Sequence, residues 1–133
     1  MAEKKHTLSK DERLSWKRYI DLLFAKGRSF VAFPWRVIFL PLDDDECLIP
    51  AKSSILISVA KKKFRHAVQR NHLKRLARES YRTRKHELVE MLENKNKKLL
   101  IAFIYIDGKI HPFADMEKAM DKTIRLLKDK LES

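Results

Sequence analysis

The chain has 133 residues and a formal net charge of +12, with 30 Lys and Arg against 18 Asp and Glu. That length suits one domain with a real core, and 44% hydrophobic residues argue against wholesale disorder. Two glycines exclude a Gly-rich phosphate loop, and one cysteine excludes an intrachain disulfide and a multi-cysteine zinc site.

Residues 1–8 read as a flexible basic tail, and residues 9–133 as one α/β domain. Ser9 to Glu12 spells a capping box, and Leu14, Trp16, Ile20, Leu23 and Phe24 follow at roughly helical spacing, so a helix is predicted over 10–26. Gly27 is its expected C-terminal stop. Strands are predicted over 29–33, 35–40 and 55–60, from β-branched and aromatic runs bounded by prolines and an acidic loop. The four acids 43–46 lack calcium-loop spacing and read as a solvated turn. A long helix is predicted over 66–93 and a polar break over 94–98. The apolar run 99–106 is a central buried strand, and a last helix is capped by Asp115 and striped by Met116, Met120, Ile124, Leu127 and Leu131. The order α-β-β-β-α-β-α gives one sheet covered by helices, an α+β sandwich.

The apolar run 99–106 has eight residues, far short of the roughly 20 of a membrane span. The N-terminus has no apolar signal core, and one cysteine fits a reducing compartment. The expectation is a cytoplasmic protein with no membrane partner.

The positive charge is local. Residues 61–85 carry eleven bases and one acid, Glu79, and so hold +10 of the net +12. At about 100° per residue, Arg70, Lys74, Lys85, Arg78, Asn71, Arg82 and Arg75 fall within one arc of about 140°. Leu73, Leu76, Ala77, Ser80, Leu88 and Met91 fall on the neighbouring arc, which docks the helix. Arg84 falls among them and must snorkel out. Six cations on one arc repel each other. Phosphates are the obvious counter-charge, with Arg offering a planar fork and Lys a point charge. A charge run alone is often only a solvated face, but this arrangement points to nucleic-acid binding.

The residues show no catalytic set. There is no H-E-x-x-H, and His6, His66, His72, His86 and His111 are scattered. His86 and Glu87 are adjacent, and adjacent helical side chains do not face each other. Cys47, in an acidic loop, reads as a spare thiol with little thiolate character.

Residues 58–82 strongly resemble the signature of the protein subunit of bacterial ribonuclease P. Ala67 and Val68 fit its Ala-Val pair. Arg70, Asn71, Lys74 and Arg75 match its Arg-Asn-Arg-x-x-Lys-Arg helix, and Leu76, Arg78 and Glu79 continue it. Ile20, Leu23, Phe24, Gly27, Ser29 and Phe30 resemble the family's first helix and exit turn. Lys62-Lys63-Phe64-Arg65, without a glycine before Ala-Val, resembles a Bacteroidetes-like variant. His72 replaces the motif's second arginine, and Arg65 stands where many members have glycine.

The resemblance implies a ribonuclease P protein or ribosomal S5 domain 2-like fold with a left-handed β-α-β crossover, which general rules would not predict. It implies an accessory subunit of an endoribonuclease that removes the 5′ leader of precursor tRNA. The catalytic magnesium ions belong to the RNA subunit, and this chain contributes neither a catalytic nor a metal-ligating residue. The implied partners are the catalytic RNA and precursor tRNA, with no protein partner required. The implied RNA-binding residues are Lys61, Lys62, Lys63, Arg65, Arg70, Asn71, His72, Lys74, Arg75, Arg78 and Arg82. The implied leader cleft lies between the first helix and the sheet. Strand alternation puts Arg36 and Ile38 on the face opposite Trp35, Val37 and Phe39. Arg36 is ill suited to a core, so its face is assigned to the cleft, with Ile20 and Phe24 as the opposing wall. The same three apolar residues would serve equally as ordinary core. Another structured RNA-binding protein, an independent nuclease and a DNA-binding regulator remain the competing readings.

Overall fold

The computed structural model describes residues 9–132, so the tail expected over residues 1–8 lies outside the described residues. The elements in chain order are α1 (Lys17–Lys26), β1 (Arg28–Ala32), β2 (Trp35–Asp43), β3 (Ser53–Ser58), α2 (Ala67–Arg84), α3 (His86–Lys95), β4 (Lys97–Tyr105) and α4 (Phe113–Glu132). The sheet order is β1-β2-β4-β3. β1, β2 and β4 pair antiparallel, and β3 and β4 pair parallel. A parallel pair needs a crossover, which α2 and α3 supply. The expected α+β sandwich is therefore the observed fold.

The two faces of the sheet have different covers. Trp35, Val37 and Phe39 of β2, with Ile101 and Phe103 of β4, pack in one core with Leu73, Ala77 and Tyr81 of α2, Leu88 and Leu92 of α3, and the α4 stripe. The Trp35 indole N–H donates to the Met116 sulfur at 3.3 Å. On the other face α1 packs Tyr19 and Leu23 against Leu100 and Ala102, with Leu14, Cys47 and Ile49 from the flanking segments. Leu100 to Phe103 are all buried because β4 is central and covered on both sides.

Two expectations need correction. The helix predicted from residue 10 starts at Lys17. The capping box does form, since Ser9 N–H donates to Glu12 Oε1 at 2.9 Å. It closes only a 3-10 turn, Lys10–Glu12. The chain then extends along the outer edge of β3, where Leu14 N–H donates to the Ile55 carbonyl at 2.8 Å. An open strand edge offers unpaired backbone groups, and this pairing outweighs helix continuation.

The helix predicted over 66–93 is two helices, broken at Lys85. Thr83 Oγ1 bonds back to the Ser80 carbonyl at 3.2 Å, and Arg84 Nη1 donates to the same carbonyl at 3.3 Å. Such back-bonding competes with the helical ladder and bends helices. Lys85 is thereby withdrawn from the cationic arc. It is buried, and its Nζ lies 2.5 Å from Glu12 Oε2.

Gly27 ends α1, but with extended backbone (φ −69°, ψ 152°) and not a left-handed one. Its small size is what matters, because α1 leaves against the sheet at that point. The left-handed helix end belongs instead to Asn96, φ 55°, within the polar break expected before β4.

The acidic turn is internally partnered. Asp43 pairs with Lys97 at 2.7 Å and Asp44 with Lys52 at 2.8 Å. Cys47 is buried beneath α1.

Candidate nucleic-acid interface

The basic segment begins where β3 ends. Lys61, Lys62 and Lys63 form an exposed turn between β3 and α2. Phe64 anchors it. Its side chain is buried, with its ring 5.7 Å from that of Tyr105. Lys63 Nζ donates to the Ile106 carbonyl at 2.6 Å, tying the turn to the end of β4. Arg65 is exposed just before α2.

Along α2 the predicted residues separate into two groups. Asn71, His72 and Arg75 are exposed. Arg70, Lys74, Arg78 and Arg82 are half-buried. Arg70 turns inward, with Nη1 donating to the Phe64 carbonyl at 2.8 Å and the Arg65 carbonyl at 3.0 Å. It therefore fixes the basic turn to the first turn of α2. Arg82 pairs with Glu79 at 2.6 Å, and that bond holds the Glu79 carboxyl below its usual range. Arg84 snorkels as expected, reaching Glu117 at 2.8 Å and Asp121 at 2.6 Å on α4.

Val68 belongs with the exposed group. It is 80% exposed in the first turn of α2, one and two turns before His72 and Arg75. The helical wheel contains the signal, placing Val68 within about 20° of Arg75. An apolar side chain amid cations suits contact with a sugar or base edge.

The α1 side of the sheet supplies a second surface. Strand register sets Val31, Arg36, Ile104 and Ser58 side by side across all four strands. Val31, Arg36 and Ser58 are exposed and Ile104 is half-buried, because α1 does not reach this row. The next row, Ser29, Ile38, Ala102 and Leu56, lies closer to the α1 layer, and Ile38 packs against it. Of the residues expected to face Arg36, Ile20 is half-buried in the α1 layer and Phe24 is 48% exposed. The structure therefore brings Arg36 and Ile38 onto the α1 face, with Ile20 packed in the same layer. Ser58, Ile104 and Val31 were invisible in the sequence, since their alignment depends on register. Ser58 ends the row three residues before the Lys61–Lys63 turn, so the open row and the basic turn adjoin.

A third cluster closes the same end of the sheet. His111 lies between Asp107 (Nε2 to Oδ2, 2.5 Å) and Asp115 (Nδ1 to Oδ2, 3.1 Å). The Asp107 bond, opposed by partial desolvation and aided by Asp115, raises the His111 pKa above 6.5. Burial pushes the nearby Tyr105 hydroxyl up to about 12.

Among the described residues, no three His, Cys, Asp or Glu side chains converge to hold a metal ion. No helix among them is long and apolar enough to cross a membrane.

A family model for ribonuclease P matches residues 8–128. A ribonuclease P protein component from Porphyromonas gingivalis is 41% identical over 117 residues, covering 88% of this chain and 83% of that relative. Another, from Chlorobium phaeobacteroides, is 31% identical over 127 residues, covering 92% and 86%. Among solved structures, the ribonuclease P protein of Thermotoga maritima aligns with a TM-score of 0.58 and 26% identity, over 86% of this chain and 96% of that one. The Staphylococcus aureus ribonuclease P protein shares the fold, with a TM-score of 0.59, 18% identity and coverage of 88% and 95%. The Porphyromonas match agrees with the Bacteroidetes-like reading of the basic turn.

Proposed function

The chain belongs to the ribonuclease P protein family, and from that premise we propose that it binds the catalytic RNA through α2 and the leader of precursor tRNA on the α1 face. Removal of the leader is then an endonucleolytic hydrolysis on the RNA subunit, with this chain as the accessory partner. Magnesium is assigned to the RNA, and no step is routed through a side chain of this protein. The working compartment is the cytoplasm.

One observation carries this reading. The exposed face of α2 and the open row Val31–Arg36–Ile104–Ser58 are joined by the Lys61–Lys63 turn. A folded RNA on α2 would leave a single strand free to cross the sheet, with Arg36 for its phosphates and Phe24, Val31 and Ile104 for its bases. Base stacking and backbone charge are what grip a single strand. Asn71, His72 and Val68 add neutral contacts among the cations.

The test is reconstitution. This chain would be added to a bacterial ribonuclease P RNA, and precursor-tRNA cleavage followed at low millimolar magnesium. The expected result is protein-dependent cleavage at the mature 5′ end, with none from the protein alone. No stimulation of a cognate RNA would reject the proposal.

A further inference from the structure

The segment before α1 is pinned at three points. Leu14 N–H donates to the Ile55 carbonyl at 2.8 Å. The Ser54 hydroxyl donates to the Asp11 carbonyl at 2.7 Å. Glu12 meets Lys85 at 2.5 Å, with the two side chains only 13% and 8% exposed. Residues 11–14 thus form a strap along the edge of β3.

The strap sets the position of Arg13. Leu14 turns into the α1 layer, and Arg13 is extended (φ −94°, ψ 116°). In extended chain, neighbouring side chains leave on opposite sides, so Arg13 is directed toward α2. On that flank lies Arg78, seven residues or about two helical turns before Lys85, close enough for the Arg13 charge to act on it.

The cations along this stretch differ in how they are satisfied. Arg82 pairs with Glu79, Arg84 with Glu117 and Asp121, and Lys85 with Glu12. Arg13 and Arg78 have no paired carboxylate among the described residues. Arg13 is exposed and Arg78 half-buried, so a like charge beside Arg78 is screened less than between two groups on open surface, and the fold itself works against this juxtaposition. Burial first, and the Arg13 charge second, depress the Arg78 pKa, the direction of a cation short of counter-charge. A phosphodiester offers two non-bridging oxygens, and a guanidinium fork matches phosphate geometry.

We propose that Arg13 and Arg78 together seat one RNA phosphate, making the strap part of the RNA-binding surface. This rests on the RNA-binding reading above and extends that surface beyond the helix motif, onto the N-terminal segment.

The experiment measures binding of Porphyromonas gingivalis ribonuclease P RNA across a salt series, for the full chain and for Arg13→Ala, Arg78→Gln and the double variant. Lys17→Ala, at an exposed pair with Asp21, is the control. Each single variant is expected to weaken binding about tenfold and to make the salt slope shallower by about 0.9. The double variant is expected to match the worse single one, since one phosphate is lost only once. Thermal melting of Arg13→Ala at low salt is expected to be unchanged or raised, because a repulsion is removed. Additive losses in the double variant would overturn the shared seat, and so would an affinity loss in Arg13→Ala that tracks a lowered melting temperature. Unchanged binding by Arg13→Ala would overturn it while leaving the α2 interface standing. Failure of the wild-type chain to bind with a steep salt slope would instead overturn the RNA-binding reading itself.

Discussion

The backbone of Gly27 lies so close to Ile38 that a Cβ on the glycine would stand 2.7 Å from Ile38 Cγ2 and 2.4 Å from the Leu23 carbonyl oxygen. The isoleucine tip can shift, but a helix carbonyl cannot do so cheaply. Gly27→Ala is therefore expected to lift the end of α1 from the sheet and cost about 1–3 kcal/mol. Urea unfolding would measure the loss. Because the shift opens the space between Phe24 and the β2 row, leader affinity should fall by more than affinity for the RNA subunit. Equal losses would separate α1 from the leader surface.

Lys85 and Glu12 hold the strap to the turn between α2 and α3. Removing one member of a buried pair leaves the other uncompensated, at a cost of about 3–5 kcal/mol. Lys85→Met should show that loss in thermal or urea unfolding. Adding Glu12→Gln should recover most of it, because no buried charge then remains. A double variant as unstable as the single one would mean that the pair is not the source of the effect.

His111 makes stability depend on pH. Its folded pKa is raised by Asp107 and Asp115, so it binds its proton more tightly folded than unfolded. The stabilisation is fully present below the unfolded value near 6.5 and is lost as pH rises through the higher folded value. Asp107, lowered mainly by its bond to His111, acts oppositely. Its contribution is present above its unfolded value and is lost as pH falls through the folded one. Unfolding free energy should therefore decline as pH rises above 6.5, and His111→Asn should flatten that decline.

Arg70 and Arg75 are equivalent in the motif but differ in structure. Arg75 is exposed, and Arg75→Ala should leave stability within about 0.5 kcal/mol while making the salt slope of RNA binding shallower by about 0.9. Arg70 also holds the Phe64 and Arg65 carbonyls. Arg70→Ala should weaken RNA binding and also lower stability by about 1 kcal/mol. Paired melting and binding curves would separate the two effects.

These differences mark what was legible in the sequence. The alternation in β2 assigned Trp35, Val37 and Phe39 to one face and Arg36 and Ile38 to the other, because a period of two leaves little choice. The α4 stripe was equally clear. The helical wheel put Arg70, Asn71, Lys74 and Arg75 on one arc, and the family resemblance marked the same residues as the motif. The break at Lys85 was not, since neither glycine nor proline marks it and its causes are side-chain bonds to Ser80 and a partner 73 positions earlier in the chain. Arg13 escaped for the same reason. Its role depends on an edge pairing with Ile55 that no local pattern encodes. Gly27 was marked as a helix stop from its type, whereas close approach to Ile38 is what excludes a side chain there.

The position of β4 bears on how the chain reaches this state at all. β1 and β2 form a hairpin, but β3 touches neither of them in the sheet, and only β4 joins the two pieces. A ribosome that has released residues 1–96 has therefore made a hairpin and a separate strand that cannot yet become one sheet. Contacts of such sequence separation form late and slowly. The basic turn and α2 emerge before the strand that fixes them, so the RNA-binding surface acquires its shape only once β4 has emerged. A fragment ending before β4 should have no cooperative melting transition, however complete its motif.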